Sequence, residues 1–285
     1  MHILVTGGAG MLGSALIRAL KQDGHVVKSL DLELSPGHES DSLVADIRDA
    51  AAVRSACAGM DAVVHTIARV NQLPIKDPLM YAINVQGTRN VIEACQSVRV
   101  PRLVYVSSVD VVFDGTPIVD GDETLPYPKR HLDYYGETKV LAEQAVIAAN
   151  GVNGVATCSL RSSGLYGPGD RHRFPNVIPR TIESGRYTII GDGQGRFNHL
   201  YVDNMAHACK LAVERLSLDS PLAGECYFIT DHEASNFFAF FKPYLDALGI
   251  QYRESRLPEG LAMLLARAAE QLYRWRGGKP PLLSR

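Results

Sequence analysis

A chain of 285 residues with 46% hydrophobic and 21% charged side chains suits one large domain, or a main domain with a smaller appendage. It needs neither disulfide nor metal to hold a core, and its formal net charge of −2 excludes the bulk attraction that draws proteins to nucleic acid or anionic membranes. Five cysteines without a CxxC pair read as buried thiols of a reducing compartment, no run of 18 apolar residues offers a spanning helix, and a strand from residue 2 leaves no room for a signal peptide, so the expectation is a cytoplasmic protein.

In chain order, residues 2–6 predict a strand, 11–23 a helix and 25–31 a strand. A short strand at 43–45, a short helix at 50–57 and a strand at 61–65 follow. Residues 78–98 predict one long helix with Tyr81, Val85, Val91 and Ala94 facing inward. Residues 102–107 read as a buried strand, 135–150 as a helix and 154–161 as a strand. Short apolar strands between helices are the pattern of a parallel sheet covered on both faces.

After residue 166 the rhythm breaks. Gly167-Pro168-Gly169 is a loop; 176–185, 204–216 and 236–248 predict helices; 187–190 and 225–230 predict strands. The fold class is therefore α/β, a Rossmann-type doubly wound sheet over residues 1–165. A smaller substrate-binding region spans 166–285 at the carboxyl ends of the strands, with elements interleaving across the boundary. Residues 257–275 predict a helix with Leu257, Leu261, Leu264, Leu265, Ala268 and Leu272 near one face and Arg267, Arg274 and Arg276 nearby. The plainest expectation packs that face on the smaller region. A subunit contact, a mobile wall of the substrate entrance and a peripheral membrane contact are the alternatives.

Gly7, Gly10 and Gly13 lie in TGGAGMLG, between the first strand and first helix. Three glycines there allow a tight turn, close backbone approach to a pyrophosphate and close helix–strand packing. The helix opening at Met11 and Leu12 supplies free N–H groups and a partial positive charge for phosphates. Asp31 closes the second strand, 24 residues after Gly7. A carboxylate there accepts ribose hydroxyls and repels a 2′-phosphate. No Arg or Lys follows within 32–37, so NAD is favoured over NADP.

Tyr135 and Lys139 stand at i and i+4, on one face of a predicted helix. A nearby ammonium and a positive nicotinamide favour the phenolate, so Tyr135 is the candidate for removing a hydroxyl proton as hydride leaves the same carbon. Ser108, just past RLVYVS, is placed to hydrogen-bond the substrate oxygen. Tyr134 is the rival tyrosine, but its i+4 partner is Thr138. His65 reads as a packed position at a strand end. His172, with Arg171 and Arg173, reads as a solvated loop, the alternative being a contact to a substrate carboxylate. No metal-ligand spacing is present.

These motifs make the chain resemble an extended short-chain dehydrogenase/reductase of the NAD-dependent epimerase/dehydratase superfamily. TGGAGMLG, ADIRD, VVHTIA, NVQGT, YVSSVDVV, YGETK and LYGPGD occur in the family's order. The resemblance implies a seven-stranded parallel sheet and adenine contacts from Asp46 and Ile47. It also implies a wall of the nucleotide site near Ala68 and a cofactor-site position for Asn84 of NVQGT. Homodimers are common in the superfamily, and the helices from Pro78 and Tyr135 are the implied faces. SSVDVVFDG, LPYPKRHLDYYGETK, HLYVDNMAHA and YFITD resemble the 3β-hydroxysteroid dehydrogenase and sterol-4-carboxylate 3-dehydrogenase branch. That branch implies a hydrophobic small-molecule substrate with a secondary 3β-hydroxyl.

The rival branch, nucleotide-sugar epimerases and dehydratases with tightly held NAD, carries an Arg-Asp-Phe triplet. Here those positions are Phe197, Asn198 and His199, with Arg196 one residue out of register and facing the other way on a strand. A non-catalytic nucleotide sensor is a third reading, against which the intact Tyr135 and Lys139 stand. Ser162 replaces the branch's usual Pro after Arg. Relatives commonly continue past the equivalent of Arg285 with a strand and helix over the substrate, so the expectation is either a shortened cover here or a sequence that stops before it.

Overall fold

The structure is a computed structural model that describes residues 1–276 apart from 72, 74 and 172. His172 and residues 277–285, on which the expectation of a shortened cover rests, lie outside the described residues.

β1 (His2–Thr6) carries buried Ile3, Leu4 and Val5 into the glycine turn, and α1 (Met11–Gln22) buries Leu12, Leu16, Ile17 and Leu20 behind it. β2 (Val26–Asp31) and β3 (Ser42–Val44) follow. α2 (Ala50–Cys57) starts on Asp49, whose carboxylate accepts from the N–H groups of Ala51 and Ala52. β4 (Ala62–His65) is buried along its length. The predicted long helix of residues 78–98 forms in three segments: α3 (Pro78–Tyr81), a π-helical stretch (Ala82–Gly87) and α4 (Thr88–Val98). Asp77 caps it and Pro78 occupies its first turn, where a missing N–H costs nothing. π-helical turns are rare and occur mostly at functional sites.

β5 (Arg102–Ser108) runs into a 3₁₀ turn (Val109–Val112). α5 (Tyr134–Ala148), capped by Asp133, and β6 (Ala156–Ser162) follow. The remainder comprises β7 (Gly164–Tyr166), α6 (Phe174–Ser184), β8 (Arg186–Ile190), β9 (Arg196–Phe197), β10 (His199–Tyr201) and α7 (Val202–Arg215). It ends with β11 (Cys226–Ile229), β12 (Ser235–Asn236), α8 (Lys242–Ala247), β13 (Arg253–Leu257) and α9 (Glu259–Arg276).

Among the described residues, seven parallel strands form the main sheet in the order β11-β6-β5-β4-β1-β2-β3. This is the doubly wound α/β sheet read from the sequence. One face buries Leu16, Ile17, Val104, Met205 and Val213 under α1 and α7. The other buries Leu4, Val53, Val91, Leu103 and Val146 under α2, α4 and α5. β11 and α7 both lie beyond residue 166, so the second region lends a strand and a helix to the first. Strand order reverses between β1 and β4, and ligands of such sheets bind at that crevice, beyond the carboxyl ends of the strands. Thr6, Asp31, His65 and Ser108 all end strands on that side.

Two helices of the second region depart from their sequence reading. The helix predicted over 236–248 is broken. Asn236 belongs to β12, and its side chain accepts from the N–H groups of Phe238 and Ala239, capping a 3₁₀ turn. α8 begins only at Lys242, with Pro243 in its first turn. The leucine face of α9 also does not pack on the smaller region. Ala262 and Ala266 are the buried side, while Leu261, Leu264, Leu265 and Leu272 are exposed and Trp275 is 89% exposed. No helix among the described residues is long and apolar enough to cross a membrane.

Candidate active site

Gly7 has φ +85°, where a side chain is strained, and its N–H donates to Leu30 at 2.8 Å. A Cβ on Gly13 would stand 2.0 Å from the Gly7 carbonyl oxygen, so turn and helix meet backbone to backbone. Gly10 caps α1 without a side-chain hydrogen bond. The first-turn N–H groups, Met11 and Leu12 among them, receive no side-chain cap from Gly10. One Asp31 oxygen accepts from Ala9 at 3.0 Å and the other from Leu32 at 2.7 Å. That carboxylate stays partly exposed beside the turn, which suits it to ribose hydroxyls.

The implied adenine contacts split in depth. Asp46 is partly exposed, and the Arg48 guanidinium, 2.9 Å away, holds its carboxyl below the usual carboxylate range. Ile47 is buried against Gly87 of the π-helical stretch, and its carbonyl accepts from Asn90 at 3.0 Å. Ala68 is partly exposed in the segment after β4. Asn84 is buried and works as a strut. Its oxygen accepts from the Arg69 N–H at 2.8 Å, and its amide donates to the Arg69 carbonyl and to Thr138 Oγ1, each at 3.0 Å. The segment carrying Ala68 is thereby tied to α5. His65 is a packed position, as read. Its ring nitrogens pair with Thr6 at 2.6 Å and Thr88 at 3.0 Å, and burial, with the Lys139 charge second, lowers its pKa to about 3.

Ser108, Tyr135 and Lys139 are brought together where β5 meets α5. Asp133 accepts from the Gly136 N–H at 2.7 Å and fixes the start of the helix, so Tyr135 enters in its first turn and Lys139 one turn on. Lys139 Nζ donates to the Val106 carbonyl at 2.7 Å and lies 4.2 Å from the Tyr105 ring centre. Burial pulls its pKa down to about 7, against the charges of Glu143 and Asp110. Burial, then the Asp110 charge, raise the Tyr135 pKa well above its ordinary value, and only the Ser108 hydroxyl acts the other way. The Lys139 ammonium is itself buried and turned toward the Val106 carbonyl.

Sequence reasoning missed several residues of this centre. Asp110 takes the Ser108 hydroxyl hydrogen bond at 3.0 Å. The Asp133 carboxyl is raised to about 6, chiefly by burial. Glu143 is fully buried one turn beyond Lys139 and accepts from Ser159 at 2.6 Å, Tyr127 at 2.9 Å and Arg161 at 2.9 Å. Asp133 and Glu143 had readable signals, an Asp at a helix start and an i+8 position from Tyr135. Arg161 was noted only as the residue before Ser162, and nothing local tied it to Glu143.

On the substrate side, the loop at Gly167–Gly169 reaches α1. A Cβ on Gly169 would stand 3.7 Å from Met11 Cα. An open cleft of about 330 Å³ lies there between Gly167, Gly169, Asp170, Phe174 and Ile178. Behind it, Arg173 leaves the solvated-loop reading altogether. Its guanidinium donates to the Gly164 carbonyl and pairs with His199 Nδ1, both at 2.9 Å, and its charge centre is 5.2 Å from the Phe197 ring. His199 stacks on Phe240 at 3.6 Å and 6°. Burial, with Arg173 second, lowers its pKa to about 4 and keeps it neutral. Arg196 is exposed and donates to the Ala234 carbonyl at 2.9 Å, while Phe197 faces Gly164. No group of His, Cys, Asp and Glu able to hold a metal occurs among the described residues.

Comparison with known proteins agrees with this geometry. Residues 4–259 match the model of the 3-beta hydroxysteroid dehydrogenase/isomerase family. A 3 beta-hydroxysteroid dehydrogenase/Delta 5→4-isomerase of Mycobacterium tuberculosis is 38% identical over 292 residues, covering 99% of this chain and 79% of that protein. A short-chain dehydrogenase/reductase superfamily protein of Agrobacterium tumefaciens, solved with bound NAD, aligns with a TM-score of 0.72 and 27% identity. That match covers 90% of this chain and 86% of the other. MoeE5, solved with UDP-glucuronic acid and NAD, aligns at 0.76 and 26% identity, covering 90% and 86%. The chain belongs to the 3-beta hydroxysteroid dehydrogenase/isomerase family and is a dehydrogenase of the short-chain dehydrogenase/reductase superfamily.

Proposed function

We propose that this chain is an NAD-dependent dehydrogenase that interconverts a secondary alcohol of a hydrophobic, sterol-like substrate and its ketone. The observation that carries the reading is the convergence of Ser108, Tyr135 and Lys139 beside a turn that only glycines can form. Gly7, Gly10 and Gly13 admit the pyrophosphate of NAD, the N–H groups of Met11 and Leu12 face it, and Asp31 takes the ribose hydroxyls. When bound, NAD supplies the hydride acceptor and a positive ring.

Tyr135 exchanges a proton with the substrate oxygen, Lys139 tunes Tyr135 and holds the nicotinamide ribose, and Ser108 orients that oxygen. Residues 1–165 serve the nucleotide and 166–285 the substrate, with β11 and α7 crossing back. Arg173, Phe197, His199 and Phe240 wall the substrate side with aromatic faces, which fits an apolar molecule. The sugar-nucleotide reading needs an arginine directed inward at position 197. Phe197 stands there, and Arg196 is engaged with Ala234. A homodimer and a cytoplasmic setting complete the proposal.

The test is NADH formation with a panel of 3β-hydroxysteroids and 3-hydroxy acids. Tyr135→Phe is expected to lower kcat by about 10²-fold or more, the usual scale of a lost proton-transfer group. Absence of turnover above the Tyr135→Phe control on every member of the panel overturns the reading.

A further inference from the structure

The segment that joins β2 to β3 inverts the usual pattern of burial. Leu32 is 62% exposed and Leu34 49%, whereas Ser35 is fully buried. A polar side chain goes inside at a cost unless its hydrogen bonds are made. Gly8 explains the inversion. A Cβ on Gly8 would stand 2.5 Å from Ser35 Oγ and 2.5 Å from Ser29 Cβ, so the Ser35 hydroxyl lies directly against the glycine turn. Contact that close leaves no room for a larger side chain at position 35.

The protons of this serine cluster can be assigned. Ser42 Oγ donates to the His38 carbonyl at 2.9 Å. It accepts from the Ser35 N–H at 3.0 Å and from Ser29 Oγ at 3.1 Å, which fills both of its lone pairs. Ser29 has thereby given its only proton, so Ser35 is the donor in the 2.7 Å contact between the Ser29 and Ser35 hydroxyls. The chain of bonds runs one way, from Ser35 through Ser29 and Ser42 to a backbone carbonyl, and it fixes the Ser35 side chain against Gly8. The far end of the segment is held too, because Lys21 Nζ of α1 donates to Asp41 at 2.6 Å.

This joint bears on Asp31. One Asp31 oxygen accepts from the N–H of Ala9, the neighbour of Gly8. The other accepts from the N–H of Leu32, where the segment begins. Both donors belong to stretches of backbone that meet at Ser35. We propose that Ser35 is a positioning residue of the nucleotide site, clamping the glycine turn to the segment after β2 so that the Asp31 carboxylate stays oriented for the adenosine ribose hydroxyls. The proposal rests on the reading of Asp31 as the acceptor of those hydroxyls. Ser35 is closed to any ligand and acts only through Gly8, Ala9 and Leu32. When either donor shifts, the carboxylate turns with it, and hydrogen bonds weaken steeply as their angle closes.

Titration calorimetry with NAD, and with an NAD analogue whose adenosine ribose lacks its 2′- and 3′-hydroxyls, tests the clamp without turnover. Wild-type protein is expected to prefer NAD by about tenfold or more, the scale of a hydrogen bond to a charged acceptor. In Ser35→Ala that preference is expected to narrow by about threefold or more, since a displacement of even a fraction of an ångström is felt at a preorganised site. A Ser35→Ala protein that keeps the whole preference, or that loses affinity for both ligands by the same factor, has lost packing alone, and either result overturns the proposal. Ser29→Ala decides the matter if Ser35→Ala does not fold. That change keeps the Cβ under Gly8 and removes the acceptor of the Ser35 hydroxyl, so the preference is expected to narrow in the same direction, and an unchanged preference overturns the clamp. Wild-type protein that binds NAD and the analogue equally would sink the reading of Asp31 and the clamp with it, a result read before any serine is replaced.

Discussion

The glycine turn and the Phe240 cluster are both closely packed, but different atoms do the packing. At Gly13 the turn and the helix meet backbone to backbone, and at Gly7 a Cβ would stand 2.5 Å from Thr66 Oγ1, so the site is shaped by the absence of side chains on its glycines. Around Arg173 and His199 the contacts are ring to ring and ring to guanidinium, with little sheet beneath them. β9 and β12 pair over two residues each, and β7 and β10 over three. A backbone-built site is fixed by fold geometry and tolerates almost no substitution. A site built from side chains can be reshaped by exchanging rings, which suits the half of the molecule that selects the substrate.

The comparison breaks most sharply at Gly13. Gly13→Ala places a Cβ 2.0 Å from the Gly7 oxygen, and no rotamer relieves a clash with backbone. Turn and α1 must move apart, and a displacement of about 1 Å costs roughly 10²-fold at a preorganised site. NAD affinity by titration calorimetry is therefore expected to fall about 100-fold or more, with a stability loss of about 1–3 kcal/mol from overpacking. Retained affinity would show that the turn is not the pyrophosphate cradle.

Phe240→Leu is the matching change in the other half. It removes the stack on His199 and the edge contact to Tyr166 at 4.9 Å while keeping an apolar side chain. The expected cost is about 1–2 kcal/mol in chemical denaturation, with NAD affinity unchanged and KM for the alcohol shifted a few-fold. A loss of NAD affinity would mean that the two halves are not separable in this way.

The same contrast decides what was legible in the sequence. Strand β1, the turn, Asp31 and the Tyr135–Lys139 spacing are local patterns, each set by a few neighbouring residues, and they could be read directly. The π-helical stretch at Ala82–Gly87 leaves residues 78–98 helical and so hides inside a correct helix reading. Arg173 could not be placed, because its partners Gly164, Phe197, His199 and Phe240 come from separate elements. The short strands β7, β9 and β12 have no room for periodicity. Asp110 was hidden in plain view within SSVD, since a carboxylate two residues past a serine announces nothing until a 3₁₀ turn folds it back.

Leu264 gives the smallest expected effect and the strictest check on α9. Burying a leucine stabilises a fold by about 1.5–3 kcal/mol, but Leu264 is 64% exposed and its helix packs through Ala262 and Ala266 instead. Leu264→Ser therefore removes little that the folded chain has gained. The change in unfolding free energy is expected to stay within about 0.5 kcal/mol, the usual range for a surface site. Serine is a slightly poorer helix former than leucine, which sets the sign as a small loss. A loss above about 2 kcal/mol that grows with protein concentration would reveal a second copy covering this face in solution, because association contributes to apparent stability by mass action. A loss of that size independent of concentration would place the leucine stripe against the chain's own body and reverse the orientation of α9 described above.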